Sequence, residues 1–197
     1  MRITVFGASG KTGRFVVEEG IERGHEIVAF VRDAVRFDGR NERLEVVEGD
    51  ARDPDAAAAA LRGSDGAISV LALAKAEDEP EHSEATRTLV EAAVAEGVRR
   101  IVVAANNHVF HDDEVRSELA AFAREHRRNR DLLRSSALDW TIVASPTLDD
   151  GSGAGSYAAA VDEKAPGKQT AREDLAAATL DALGHGDWVG LIIGVSS

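Results

Sequence analysis

Glycines at positions 7, 10 and 13 stand in the run Gly7-Ala8-Ser9-Gly10-Lys11-Thr12-Gly13, directly after an apolar, β-branched segment and directly before a helical one. At this spacing the turn is tight enough for backbone to approach a pyrophosphate. The helix that follows then offers the anion its free N–H groups and the positive end of its dipole. Ser9, Lys11 and Thr12 complete the candidate set in the turn. Gly10-Lys11-Thr12 also reproduces the end of a Walker A loop. That motif needs a glycine at position 5, where Val5 stands inside the strand, and the loop is too short to wrap a nucleoside triphosphate. A glycine turn that holds no ligand is the remaining alternative.

In a strand–helix–strand unit opening on such a turn, the residue ending the second strand reads the adenosine ribose of a dinucleotide. A carboxylate there would bind the ribose diol of NAD. Here Arg32 occupies the place, Arg36 follows, and a guanidinium grips a 2'-phosphate bidentately. The expected cofactor is therefore NADP(H) in preference to NAD(H), although Asp33 is available to face the ribose instead. Asp50, in Glu48-Gly49-Asp50, is placed either to accept from the adenine amino group or to cap the next segment. Leu71 and Ala72 after the fourth strand, Ala105 after the fifth and Pro146 after the sixth are expected to line the rest of the path. The loops Ala105 to His111 and Ser145 to Tyr157 should frame the nicotinamide.

The elements that position these residues follow from periodicity. Apolar runs at Ile3 to Phe6, Ile27 to Val31, Leu44 to Val47, Ala67 to Leu71, Ile101 to Ala104 and Thr141 to Ala144 read as buried parallel strands. Helical segments lie between them: Arg14 to Arg23, Pro54 to Leu61 and Thr86 to Glu96, stopped by Gly24, Gly63 and Gly97. Roughly Glu114 to Ser136 supplies another. Thr170-x-x-Glu173 predicts a capping box for a last helix, and Trp188 to Ile193 predicts a closing edge strand. The alternation gives an α/β fold, a Rossmann-like, doubly wound parallel sheet in three layers. One domain is expected over residues 1–197, with a small substrate-side region from about 145 onward. Lys75 to Ser83 and Asp149 to Ser156 are loops at carboxyl ends of strands, the second glycine-rich and expected to be either a lid or simply flexible.

The chain has 197 residues and no cysteine, which excludes disulfides, thiolate nucleophiles and thiolate metal sites; the reducing cytoplasm is the expected location. No metal site is expected. The strand-like run near Met1 leaves no room for a signal peptide, and no apolar stretch has membrane-spanning length. A formal net charge of -12 repels nucleic acid. Arg124, Arg127, Arg128, Arg130 and Arg134 share one helix and read as a solvated face paired with carboxylates, or else as recognition of an anionic substrate.

Ile3 to Arg32, Gly49-Asp50, Ser136-Ala137-Leu138-Asp139-Trp140-Thr141-Ile142-Val143 and Thr170-Ala171-Arg172-Glu173-Asp174-Leu175-Ala176 together resemble the atypical short-chain dehydrogenase/reductases. Within these they are similar to the compact, NmrA-like NAD(P)H-binding proteins related to biliverdin reductase B, a flavin reductase. The resemblance spans nearly the whole chain. It departs at catalysis: the Tyr-x-x-x-Lys pair of typical members is absent. Tyr157, the one tyrosine, is followed four residues later by Val161, and counting back from Leu138 puts Phe122 and His126 at the expected places. The biliverdin reductase B-like proteins also lack the pair and carry a histidine near the place of His126.

The resemblance implies hydride transfer, governed mainly by positioning, to a flat conjugated acceptor. Relatives place serine or threonine after the fifth strand, where this chain has Asn106-Asn107-His108. The candidate catalytic residues are His126, His108 and Asn107, with a histidine as the titratable group. The leading expectation is an NADPH-dependent reductase of a flavin, quinone or similar planar small molecule, acting as a monomer or homodimer. The alternatives are a non-catalytic NADP(H) sensor of the NmrA type and a pathway-specific epimerase or isomerase.

Overall fold

The computed structural model describes residues 1–71, 81–110 and 119–197; Ala72, most of the expected loop Lys75 to Ser83 and the first residues of the expected helix from Glu114 lie outside these. The chain runs β1 (Arg2–Phe6), α1 (Lys11–Glu22), β2 (Glu26–Val31), β3 (Leu44–Glu48), α2 (Pro54–Leu61), β4 (Gly66–Ser69), α3 (Glu81–Glu96) and β5 (Arg100–Asn106). It continues through α4 (Ala120–Arg134), β6 (Asp139–Ser145), β7 (Thr147–Asp149), β8 (Ala158–Val161), β9 (Gln169–Ala171), α5 (Arg172–Gly184) and β10 (Leu191–Ser196). The main sheet has the order β3-β2-β1-β4-β5-β6-β10-β8, parallel except for β8, and β7 pairs with β9 apart from it.

Successive strand residues point to opposite faces, and both faces of this sheet are apolar. Val5, Ile27 and Ile193 go to one side, where Val16 and Val17 of α1 meet Leu175 and Leu180 of α5. Phe6, Phe30 and Ile101 go to the other, against Leu61 of α2, Leu89 of α3 and Leu133 of α4. The result is three layers. Local chemistry agrees: Asp53 accepts from the N–H groups of Asp55 and Ala56 at 2.9 and 3.3 Å to start α2 on Pro54, and Gly24, Gly63 and Gly97 all take positive φ.

Two expectations are corrected at the carboxyl-terminal side. The capping box does not form: the Thr170 hydroxyl donates to Val195 O at 3.1 Å within β9, Ala171 is the N-cap residue of α5, and Glu173 accepts from a loop. Nor is the last strand an edge. Trp188 lies in a short 3-10 turn, β10 starts at Leu191, and the alanine-rich β8 covers its outer side in antiparallel register.

Candidate functional site

Strand order reverses beside β1, since β2 and β3 extend one way and β4 returns on the other side, so a crevice opens beyond the carboxyl ends of β1 and β4. Gly7 stands at its base with φ +83, and a Cβ there would lie 3.0 Å from Val70 O. A Cβ on Gly13 would lie 2.1 Å from Gly7 O, so α1 sits directly on the end of β1. Gly10 differs. It is the N-cap residue of α1, an added Cβ would meet only Gly7 O at 3.1 Å, and its outer side lines the crevice. No side chain caps α1 and its first turn carries no acid, so its leading N–H groups are open to an anion.

From the turn a cleft of about 340 Å³ extends over β2 and β3, lined by Arg32, Asp50 and Arg52 among others. The Asp50 carboxylate accepts from Arg52 Nε at 3.0 Å and Nη2 at 2.7 Å, and these bonds hold it down to about 2, below the usual carboxylate range. Asp33 is turned away. It accepts from Val35 N at 3.1 Å and Arg36 N at 3.2 Å and pairs with Arg36 Nε at 3.1 Å, and neither residue lines the cleft. Arg32 projects into it as an exposed cation.

In the other direction a second cavity of about 400 Å³ lies past β5 and β6 and shares Val70 and Leu71 with the first. The two adjoin at these residues, a trough of two basins across the switch point. The second is largely apolar, walled by Leu71, Ala105, Phe122 and Pro146, with His126 from α4 and Arg172 from α5 as its functional groups. His126 is 6% exposed, and neither ring nitrogen has a partner among the described residues. Burial, with His82 and His108 nearby, pushes it down to about 3, so it is a neutral imidazole at physiological pH. As a neutral imidazole the ring can donate or accept a hydrogen bond.

His126 is held by what surrounds it. Its ring is edge-on to Phe122, centroids 4.5 Å apart, and to His82 at 5.8 Å. His82 Nε2 lies 2.9 Å from Leu71 O and its Nδ1 lies 2.7 Å from Asn129 Nδ2, which fixes the tautomer with Nε2 donating. Fully buried Glu125 accepts from Ser83 N at 2.9 Å and from Arg128 at 2.5 Å, fastening the start of α3 to α4. Arg130 leaves the expected solvated face: it is 7% exposed and donates to Val109 O at 3.0 Å.

Uncapped N–H groups, a glycine cradle with an open outer side, and a buried orphaned imidazole at the far end together fit a dinucleotide laid along the trough. The sequence model of the NAD(P)H-binding family matches residues 7–186. The chain belongs to that family. The Bacillus subtilis protein YwnB is 28% identical over 94% of this chain and 93% of its own length. Among solved structures, a Streptococcus pneumoniae protein proposed as an NADH-flavin reductase has a TM-score of 0.85 at 22% identity, covering 100% of this chain and 99% of that one. A wide-type short-chain dehydrogenase/reductase from Veillonella parvula, in complex with NADP, has a TM-score of 0.79 at 18% identity, covering 100% and 94%. These likenesses carry the Rossmann-like fold.

Within this member of the family the trough gathers Gly7, Ser9, Gly10, Thr12, Arg32, Asp50, Leu71, Ala105, Pro146 and His126 from the candidate residues. It leaves Lys11, Gly13 and Arg36 outside its lining, and Asn106 rather than Asn107 or His108 reaches the second cavity. The Asn107 side-chain oxygen is buried without a partner among the described residues, while Asn106 Oδ1 accepts from His108 N at 3.1 Å. Tyr157 is remote from this chemistry: its hydroxyl donates to Asp181 at 2.6 Å, and burial with that carboxylate raises its pKa well above normal. Sequence reasoning missed Arg52, His82 and Arg172. Arg52 stands two residues from Asp50, and that spacing was the available signal; the other two carry none.

Proposed function

We propose that the chain is an NADPH-dependent reductase that passes hydride to a flavin, quinone or similar planar acceptor. The observation that carries the reading is the pair of cavities that adjoin at Val70 and Leu71, with Arg32 in the first and His126 in the second. The glycine turn would hold the diphosphate. Arg32 would take the 2'-phosphate, a preference supported by the outward turn of Asp33 and the pairing of Asp50 with Arg52. The bound dinucleotide would supply the hydride.

The chain's remaining task is positioning. Phe122, Pro146 and Leu71 offer apolar walls to a flat ring, and neutral His126 lines the same cavity; its ring nitrogens are buried, so a turn of the ring would bring one to donate a hydrogen bond to a carbonyl oxygen of the acceptor and stabilise developing negative charge. The final proton comes from solvent. A planar conjugated acceptor suits this site better than a simple ketone, because its reduced form spreads charge over several atoms and needs no strong acid beside it. The test is NADPH oxidation against flavins, quinones and simple carbonyls. Turnover with the conjugated acceptors is expected. Tight NADPH binding with no turnover on any acceptor would overturn the reductase and favour a sensor of the dinucleotide.

A further inference from the structure

The loop from 149 to 156 is tied at two points. Near its start, Asp150 Oδ2 accepts from Lys11 Nζ at 2.5 Å and Oδ1 from Arg172 Nε at 2.5 Å. Further on, Gly153 N donates to Glu173 at 2.7 Å, while Ala154 N and Gly155 N donate to Asp174 at 3.0 and 3.1 Å. The second tie is firm, since Asp174 is 2% exposed and belongs to the first turn of α5. The first is different in kind. Asp150 is 59% exposed, and its two cations flank the uncapped start of α1, where Arg172 also donates to the Thr12 hydroxyl at 3.2 Å. A carboxylate therefore rests between two positive groups at the helix terminus that a diphosphate needs, while a third, Arg14, donates to Ser9 O in the turn at 3.4 Å.

We propose that Asp150 is an internal competitor for the cofactor's diphosphate, and that Arg172, more than 150 residues from the glycine turn, is a cofactor-binding residue that Asp150 holds while the site is empty. The inference rests on the dinucleotide reading of the trough. Binding exchanges carboxylate for phosphate on Lys11 and Arg172, because the two anions repel at such range and the diphosphate carries the greater charge. Exposed ion pairs are weak, so this exchange costs little. The Asp150 to Ser152 end of the loop is then released, and the 153 to 155 end stays fastened to α5. The contact keeps Arg172 pointed at α1 in the free protein and couples cofactor occupancy to the position of a loop that directly follows Thr147 and Leu148, which line the second cavity.

The experiment is titration of the full chain with NADPH, by calorimetry, for the unmodified protein, Asp150→Asn, Asp149→Asn and Arg172→Ala, with hydrogen exchange followed at residues 150–152. Asp149→Asn removes the same charge one residue away from the cations. The expected result is Asp150→Asn binding NADPH about three- to tenfold more tightly, Asp149→Asn within about twofold of the unmodified protein, and Arg172→Ala weaker by about tenfold. NADPH should speed exchange at 150–152 in the unmodified protein and leave it unchanged in Asp150→Asn, where it is already fast. Equal tightening in both asparagine variants would overturn the proposal in favour of diffuse charge. Unchanged or weaker binding by Asp150→Asn, or slower exchange on NADPH addition, would overturn it outright. An unmodified protein that binds no NADPH would instead remove the dinucleotide reading itself, and the competitor with it.

Discussion

Replacing Arg32 by alanine isolates the 2'-phosphate from every other part of the dinucleotide. Arg32 is exposed in the first cleft and donates no hydrogen bond among the described residues, whereas its neighbour Arg52 is already engaged twice by Asp50. A charged hydrogen bond contributes about 1.5 to 3 kcal/mol, and solvent exposure at this site places Arg32 at the lower end, about tenfold in affinity. Arg32→Ala should therefore weaken NADPH about tenfold and leave NADH within about twofold, so that most of the preference disappears. Arg52→Ala, in contrast, leaves Asp50 as an unpaired carboxylate in the cleft and should weaken NADPH further while sparing NADH. Calorimetry with both cofactors on both variants reads this directly. Equal losses for NADPH and NADH in Arg32→Ala, or equal affinities in the unmodified protein, would refute the assignment of the 2'-phosphate to this guanidinium.

The glycine turn separates binding from folding: Gly10→Val should abolish NADPH binding with little change in melting temperature, because Gly10 lines the cleft and an added Cβ would meet only Gly7 O, at 3.1 Å, as thermal unfolding beside calorimetry would register. Gly13→Ala should instead destabilise the fold by more than about 2 kcal/mol, since its Cβ would lie 2.1 Å from Gly7 O. His126→Ala should lower turnover about ten- to a hundredfold without changing NADPH affinity, and the pH profile should show no ionisation of this residue between pH 5 and 8. The depressed value of His126 also affects stability. Above the ordinary histidine value of 6.5 its contribution is fully present, and it is lost progressively as pH falls toward about 3, because the unfolded chain takes up a proton that the buried ring refuses. Denaturant unfolding of His126→Gln should thus escape up to about 1.4 kcal/mol per pH unit of the loss seen in the unmodified protein between pH 6.5 and 5.

The first six strands and the glycine turn were legible because each is a local signal: a β-branched apolar run, a glycine stop, a proline at a helix start. The pattern failed where tertiary contacts override it. Thr170 and Glu173 have capping-box spacing, but their side chains find Val195 O and Gly153 N, groups that local spacing cannot reveal. β8 is four residues of mostly alanine and is defined by its antiparallel pairing with β10, not by its own propensity. At the site, Arg32 and the turn announce themselves by position after a strand. His82 does not, because its role comes from Leu71 O and Asn129, 11 and 47 residues away. The neutral state of His126 is hidden for a related reason: the residue type suggests a titrating group, and only its surroundings show the burial that lowers its pKa.

The contact between Arg172 and Thr12 spans 160 positions of chain, and that between Lys11 and Asp150 spans 139. Synthesis delivers the glycine turn well before the loop and α5. A nascent chain thus holds the glycine turn long before it possesses the arginine and the loop carboxylate that contact the start of α1. Such non-local closures fall late in assembly. Fragments cleaved ahead of α5 would keep the glycine motif yet lose Arg172 together with Leu175 and Leu180, one wall of the core.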